Sequence, residues 1–483
     1  VGDLIIPIAG LVAGVGVAVL LTLSTVPLRV LGAVLLAVGG LVLVGVAQVS
    51  PGAVLEQPLF LALLAVGGVV ALAAGTLIAM RLPWLVPVAA LVVGLRIPLR
   101  NPPAPIDHLA PLYLILAAGL LALVIRSVRG SAPPTRLGPV GWSLAAIVLV
   151  ACASLFWTAD RDATTYAVLA FVLPLGALAA LTGTLLPEPP LTRVLPWLLT
   201  TAAAILAAVA IWQVANQELF WNEKLMRTNA YGGAFRANSL LFDPSLFGRV
   251  EALALVTIVG LLLFGRPRLL LVAAALSAVL IFAGLMLSYS QSSFVALAAG
   301  LITLAAILWR WRALAVVAAI GVLLVAGALA LPQGRAILDQ PTDQLSSARL
   351  GLASRSLDLF SERPIGGSGL GAFATATGQR KAAPHNVVAG TAAELGVVGG
   401  VALAALLASV LWAMRNRRPD ADRTTHVILT ALFVTILVHA VFYDNFLADP
   451  AMWVIAALLA TGAGRARLGG EPPTFTQATR FRS

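Results

Sequence analysis

The sequence predicts an all-α polytopic membrane protein with about 14–15 transmembrane helices and one large external loop. Three observations predict it. Hydrophobic residues make up 60% of the 483 positions and charged residues 11%, where soluble domains show roughly 45–50% and 25%. The mean hydropathy is +0.99. The apolar residues are gathered into runs of about 20, the length that crosses a hydrocarbon core. A soluble enzyme, a nucleic-acid-binding protein and a disordered chain are excluded on these grounds. The net charge of +11 comes from arginines scattered through short loops, which the positive-inside bias explains without nucleic acid. The single cysteine, Cys152, lies in an apolar run and excludes an internal disulfide or a Cys-based zinc or iron–sulfur site.

The chain begins at Val1 rather than Met, which reads as a sequence lacking its native start. Leu4–Leu23 is longer than a signal-peptide core and has no small-residue cleavage site, so it reads as a span. Val30–Val49, Leu59–Met80, Trp84–Leu99, Leu109–Ile125, Val140–Phe156, Tyr166–Leu186 and Val194–Val214 complete an N-terminal block over residues 1–214. Trp84–Leu99 is the weakest of these, interrupted by Pro87, Arg96 and Pro98. A first external loop covers 215–245. Leu246–Phe264, Leu269–Leu287, Phe294–Trp309 and Ala313–Leu331 make a central block over 246–331. The large loop is 332–385, and Val387–Met414, Val427–Phe442 and Ala451–Ala463 form a C-terminal block over 386–464, followed by a polar tail, 465–483. With the spans alternated, Arg126/Arg129/Arg136, Arg266/Arg268, Arg310/Arg312, Arg415/Arg417/Arg418/Arg423 and the tail arginines Arg465, Arg467, Arg480 and Arg482 all fall on one side. That side is cytoplasmic by the positive-inside rule.

The two longest connections are therefore external, and loops of that length are usually functional or disordered. In the large loop the apolar residues of Ala348–Phe360 recur at helical spacing, predicting a short helix at the membrane surface. The loop carries Arg335, Arg349, Arg355, Arg363, Arg380 and Lys381 against Asp339, Asp343, Asp358 and Glu362. Two readings stand. Either these charges pair locally, or the guanidinium forks form an anion site that grips phosphate oxygens, the large anion of an outer leaflet being a diphosphate that links a lipid to its cargo. His385, between Pro384 and Asn386 at the mouth of a span, is placed either to cap a helix or to move a proton near neutral pH. His108, His426 and His439 lack that setting.

The stretch Gly366-Gly367-Ser368-Gly369-Leu370-Gly371 is followed by no Gly-Lys-Ser/Thr, so it is no phosphate-cradling loop and reads as a flexible turn. In and just after the first loop, Phe220, Trp221, Tyr231, Phe235, Phe242 and Phe247 are interleaved with Glu223, Lys224, Arg227, Arg236 and Asp243. Such rings either bind sugar faces or form an interfacial belt. Arg249 and Glu251 lie just inside the next span, where ionisable residues are costly and mark function. No His/Asp/Glu cluster has metal-ligand spacing, so neither metal nor cofactor is expected.

The run His385-Asn386-Val387-Val388-Ala389-Gly390-Thr391-Ala392-Ala393-Glu394-Leu395-Gly396-Val397-Val398-Gly399 resembles the His-Asn…Glu-x-Gly-x-x-Gly signature of the O-antigen ligase and polymerase family. Ser347-Ala348-Arg349, Pro364-Ile365-Gly366 and Gly369-Leu370-Gly371 are similar to that family's large periplasmic loop. His439 to Asp444 with Pro450, and Arg236 with Asp243-Pro244-Ser245, resemble further parts, so the likeness runs over Arg236–Ala463. It implies a metal-independent, multi-span fold of the glycosyltransferase-C kind in a bacterial inner membrane, acting on the periplasmic face. It implies en bloc transfer of a glycan from a polyprenyl (undecaprenyl) diphosphate carrier to a hydroxyl of a lipid or glycan acceptor, with inversion.

Carried over by position, His385 is the general base, with Asn386, Glu394 and Gly396 supporting it. Arg349 binds and stabilises the diphosphate, with Arg236 and Arg355 as further contacts, and Trp221, Arg227 and Tyr231 belong to a glycan-facing loop. One departure stands out: where the family carries a Ser-Arg-Gly-like triplet, this chain has Ser290-Gln291-Ser292. Gln291 can hydrogen-bond a phosphate but not neutralise it, which shifts the second arginine's role to Arg236, Arg249 or Arg355. The N-terminal spans exceed the family's usual dozen. The resemblance does not separate ligase from repeat-unit polymerase. A peptidoglycan-type polymerase would use an external aspartate such as Asp339, Asp343 or Asp358. A lipid or solute transporter would show paired inverted halves and charges near the bilayer midplane, and this sequence shows neither.

Overall fold

Hydrocarbon offers no hydrogen bonds, so a spanning chain must satisfy its backbone internally, as helices or a closed barrel. The computed structural model takes the helical solution. It describes residues 2–48, 58–94, 109–133, 137–185, 189–231, 235–264, 268–309, 315, 349–378, 384–417, 422–443 and 445–462, and among these no strand occurs. In chain order the helices are α1 (Gly2–Thr22), α2 (Val26–Gln48), α3 (Pro58–Arg81), α4 (Leu85–Gly94), α5 (Leu109–Val128), α6 (Gly138–Ala153), α7 (Arg161–Leu185) and α8 (Pro189–Asn216). They continue as α9 (Glu223–Tyr231), α10 (Pro244–Leu263), α11 (Arg268–Ser288), α12 (Gln291–Trp309), α13 (Arg349–Glu362), α14 (Phe373–Ala376), α15 (Val387–Arg415), α16 (Arg423–Phe442) and α17 (Pro450–Thr461).

Ten helices are long and apolar enough to cross a membrane, and Val66–Arg81, Leu85–Gly94, Val272–Ser288 and Pro450–Thr461 are shorter apolar helices. The chain is an all-α polytopic membrane protein. The expected span Ala313–Leu331 lies outside the described residues except at residue 315, and Asp339, Asp343, Arg335, Arg380 and Lys381 lie outside them too. Basic residues end α3 (Arg81), α5 (Arg126) and α15 (Arg415) and begin α16 (Arg423), marking one end of the bundle. At that end Arg29 of α2 donates to Ser127 Oγ at 3.1 Å and to the Pro133 carbonyl at 2.6 Å.

The centre is built from α7 and α17. Every residue of Leu173–Leu185 is buried, as are all residues of α17 but Ala451. These two helices pack on each other, with α1 and α6 against α7 and with α15 and α16 against α17. α10 packs among α8, α11, α12 and α16. Between α6 and α15 the hydroxyls of Ser143 and Ser409 meet at 2.9 Å, an interhelical bond of the kind that joins helices in lipid.

Two helices depart from regular geometry. In α7 a π turn occupies Val168–Val172, and the Tyr113 hydroxyl of α5 donates to the Leu169 carbonyl there at 2.9 Å. In α15 the helix breaks at Gly396, which has φ 62° and ψ −158°. In an unbroken helix the N–H groups of Val397 and Val398 would close onto Ala393 and Glu394. Instead they donate to the carbonyls of Pro364 (2.8 Å) and Ile365 (3.3 Å), while the Ala393 and Glu394 carbonyls accept from Ser368 (3.0 Å) and Gly369 (2.8 Å). The stretch expected to be a flexible turn is thus a backbone clasp around the break. A glycine pattern without a helical or strand period gave no sign of this long-range pairing.

The clasp leaves no room for a Cβ at Gly396, which would meet the Ile365 carbonyl. Gly396→Ala is expected to destabilise the detergent-solubilised protein by about 1–3 kcal/mol through its left-handed φ alone, and by more through the clash. Gly351→Ala in α13, where a Cβ meets nothing within 4 Å, is expected to hold or raise the melting temperature. Thermal unfolding of both variants checks the pair.

Candidate active site

The ends opposite the arginine-rich ones enclose a cavity of about 430 Å³. Helix starts converge on it. Asp160 caps α7, Asp243 caps α10, Asn386 caps α15 and Asp449 caps α17, each accepting from a backbone N–H of the first turn. These caps satisfy donors that a helix start leaves open; none of the four capping residues is itself in the lining, which takes Ala167, Leu246, Gly390 and Pro450 from the helices they begin.

His385 lines the cavity from the position just before the α15 cap. The Asn386 side chain accepts from the N–H groups of Val388 (2.9 Å) and Ala389 (3.1 Å), which fixes the direction in which α15 begins. One face of α15 continues the lining beyond His385: Gly390, Thr391, Glu394 and Leu395, at the spacing that places residues on a common face. The Glu394 carboxylate accepts from the backbone N–H groups of Gly371 and Phe373, both also in the lining.

Tyr443, beyond the end of α16, stands opposite. Its ring centroid is 6.3 Å from that of His385 and 5.6 Å from that of His439. Its hydroxyl donates to the Asp243 carboxylate; burial first, and the Asp243 charge second, push the phenol above its ordinary range. Tyr443 is therefore held as a neutral phenol with its hydroxyl engaged by Asp243. Arg249 of α10 also lines the cavity and pairs with Asp449 at 3.1 Å, both side chains almost fully buried.

A second polar cluster adjoins through His439, whose Nε2 lies 3.3 Å from Ser292 Oγ. Ser290 Oγ reaches Ser292 (3.2 Å) and Ser293 (2.8 Å). Here the serines of the Ser290-Gln291-Ser292 triplet are buried and Gln291 is exposed.

The residues singled out by sequence divide accordingly. His385 and Glu394 come together on the cavity, with Asn386 and Gly396 shaping the helix between and behind them. Arg349 is the first residue of α13, which packs on α15, and its side chain lies outside the described set. Arg236, Arg355 and Gln291 are not in the lining. The Arg236 Nε donates to the Ser288 carbonyl at 3.2 Å, and Arg355 is exposed.

Trp221 and Arg227 are likewise outside the lining. Trp221 Nε1 donates to the Leu241 carbonyl at 3.1 Å, and Arg227 pairs with Glu223 at 3.6 Å on the surface. Tyr231 ends α9, with its side chain outside the described set. Phe220 stacks on Trp212 with centroids 5.3 Å apart. Sequence reasoning placed no role on Tyr443 or Asp449. A tyrosine and an aspartate in the short connection beside Pro450 were the available signal.

Residues 276–404 match a family model described as O-antigen ligase. The segment runs from α11 through the Ser290–Ser293 cluster and the large loop into α15, so the His385–Gly399 run, the clasp and the helix break all fall inside it. No curated protein matches the chain. The chain is a multi-pass membrane protein, and its residues 276–404 are similar to the O-antigen ligase family.

Removing one partner of a buried ion pair strands the other. Arg249→Met alone is expected to cost about 3–5 kcal/mol, and Arg249→Met with Asp449→Leu to recover most of it; denaturation of the two single variants and the double variant measures the coupling. The Asp160 carboxyl is held below its ordinary range by the Ala163 N–H first and the Thr375 hydroxyl next. Its contribution is present above the unfolded carboxylate value and lost as pH falls through the lowered folded one. Asp160→Asn is therefore expected to lower the melting temperature at neutral pH and to flatten its decline below about pH 4.

Proposed function

We propose that the protein is a membrane glycosyltransferase of the O-antigen ligase type. It transfers a preassembled glycan from a polyprenyl diphosphate carrier to an acceptor hydroxyl, with its site on the external (periplasmic) face of a bacterial inner membrane. The observation that carries this reading is the opening of His385 onto the cavity it shares with Glu394, Tyr443 and Arg249.

The step is a single displacement. The acceptor oxygen bonds to the anomeric carbon on the face opposite the diphosphate, the carbon–oxygen bond to phosphate breaks, and the configuration inverts. The acceptor proton passes to His385, and polyprenyl diphosphate departs with the electron pair. Because the donor arrives activated, the protein supplies a base, fixed positive charge and alignment. Arg349, at the start of the helix that packs on α15, stabilises the charge gathering on the leaving diphosphate. Arg249 takes the place that Gln291 cannot fill: it is the cation among the described residues of the lining, held in place by Asp449. Tyr443 and Glu394 hold the walls on either side of His385.

The test is turnover of a purified preparation with lipid-diphosphate-linked glycan and candidate acceptors in the presence of chelator. His385→Ala is expected to lose about 10²–10⁴-fold in kcat, and Arg349→Ala about 10²–10³-fold. Undiminished turnover by both variants, or activity abolished by chelator, overturns the assignment. A ladder of products identifies polymerisation and a single addition identifies ligation.

A further inference from the structure

A second space begins where the cavity ends. It is narrow, about 100 Å³, and lies between α4, α8, α10, α16 and α17. Three of these helices line both spaces. α4 gives Gly94 to the cavity and Leu91 to the groove. α10 gives Arg249 and Val250 to the cavity, then Leu253, Thr257 and Leu261 to the groove. α17 gives Pro450, then Ala451, Val454 and Leu458. Steps of three and four residues keep each set on one helix face, so the two spaces lie end to end along the same three helices, with Arg249 on the turn of α10 between them.

From Leu253 to Leu261 the groove runs along α10 for about 12 Å toward the arginine-rich end. Among the described residues, no charged side chain lines it. Of its three threonine hydroxyls two are engaged within the protein, Thr257 donating to the Leu253 carbonyl at 2.8 Å and Thr425 to Asp422 at 2.7 Å. The chemistry asked of an occupant is one slender hydrocarbon chain whose anionic head emerges beside an arginine. A phospholipid, with paired chains, suits a single groove less well.

We propose that this groove holds the polyprenyl chain of the donor, with its diphosphate in the cavity beside Arg249; the proposal rests on the protein being a glycosyltransferase with a lipid-diphosphate donor. Lipid tails are as apolar as the groove, so entering it yields little hydrophobic gain. Its contribution is alignment of the anomeric carbon with His385, a term that acts on the rate of reaction.

Two measurements on the full chain test it. In the first, polyprenyl diphosphate with a photoreactive group on an isoprene unit near the head is crosslinked to the protein. Labels are expected on the Leu253–Leu261 and Val454–Leu458 stretches, competed by unlabelled polyprenyl diphosphate and unaffected by excess phosphatidylglycerol. Labels elsewhere, or equal competition by phosphatidylglycerol, overturn the proposal. In the second, Leu199→Trp and Thr425→Phe, at the groove's far end, are assayed with one glycan on either a long polyprenyl diphosphate or a diphosphate of two isoprene units. A drop of about tenfold or more in kcat/KM for the long donor alone is expected. Equal losses with both donors, or no loss with either, overturn it. Crosslinking without turnover would leave the groove assigned and the glycosyl-transfer reading refuted; turnover without groove labelling would do the reverse.

Discussion

Four hydrogen bonds at the Gly396 break hold the site together. A helix broken in a bilayer exposes carbonyl and N–H groups that nothing in the hydrocarbon can satisfy, each at a cost of several kcal/mol. Here the loop over Pro364–Gly369 takes the two carbonyls and two N–H groups that α15 releases. The same loop binds the end of α6 on its other side, through the Trp157 indole to the Gly366 carbonyl (2.8 Å), the Ala159 N–H to Ser368 (2.7 Å) and the Leu370 N–H to Ser154 Oγ (3.3 Å). Its continuation presents the Gly371 and Phe373 N–H groups to Glu394. One short segment thereby fixes α6, α15 and the Glu394 side of the cavity. The helix register set there also determines the position of His385, one residue before the cap.

The location of the polar groups reflects their cost. Ionisable side chains near a bilayer midplane are expensive, and those lining the cavity, Glu394 apart, sit at or near helix ends. His385 and Tyr443 lie just outside α15 and α16 and Arg249 is within the first two turns of α10, while Asp449 and Asp243, the partners of Arg249 and Tyr443, are caps outside the lining. Burial of Arg249 would be prohibitive alone, and Asp449 supplies the opposite charge at 3.1 Å. The Tyr443–Asp243 bond likewise gives an acid in the α10 cap a neutral donor. Both pairs join α10 to the connection between α16 and α17, so the cavity wall is held by polar contacts where lipid supplies no hydrophobic drive for helix association.

The helices were legible in the sequence because their signal is local. Apolar runs of membrane length gave the spans, arginine placement gave their alternation, and the spacing of Leu350, Leu352, Leu357, Leu359 and Phe360 gave α13, although Leu357 is exposed. The His385–Gly399 run identified the segment that the family model also matches. The cavity's far wall was less legible, because it is a matter of three-dimensional meeting. Arg249 was marked only as an oddly placed charge, while Tyr443 and Asp449 looked like ordinary residues of a short connection. The clasp was misread for a related reason: glycines that free the backbone and glycines that admit a close neighbour look alike in one dimension, and only the carbonyls of a distant helix distinguish them. In the first external loop the aromatic pattern was real, yet Trp221 and Phe220 are engaged with Leu241 and Trp212.

The N-terminal spans acquire a task from this arrangement. The cavity's floor includes Ala167, Phe171 and Val172, all in or beside the π turn of α7. A π turn widens the helix and misaligns its carbonyls, which is why such turns persist chiefly where a site needs them. In this protein the cost is offset from α5, whose Tyr113 hydroxyl takes the Leu169 carbonyl. α5 is in turn seated against α2, α3, α4 and α7, and α1 lies along both α6 and α7. The early helices thus encase a distorted helix that would be poorly supported if it faced lipid. Their effect on chemistry is indirect but physical: they keep the α7 wall in the shape that leaves space opposite His385.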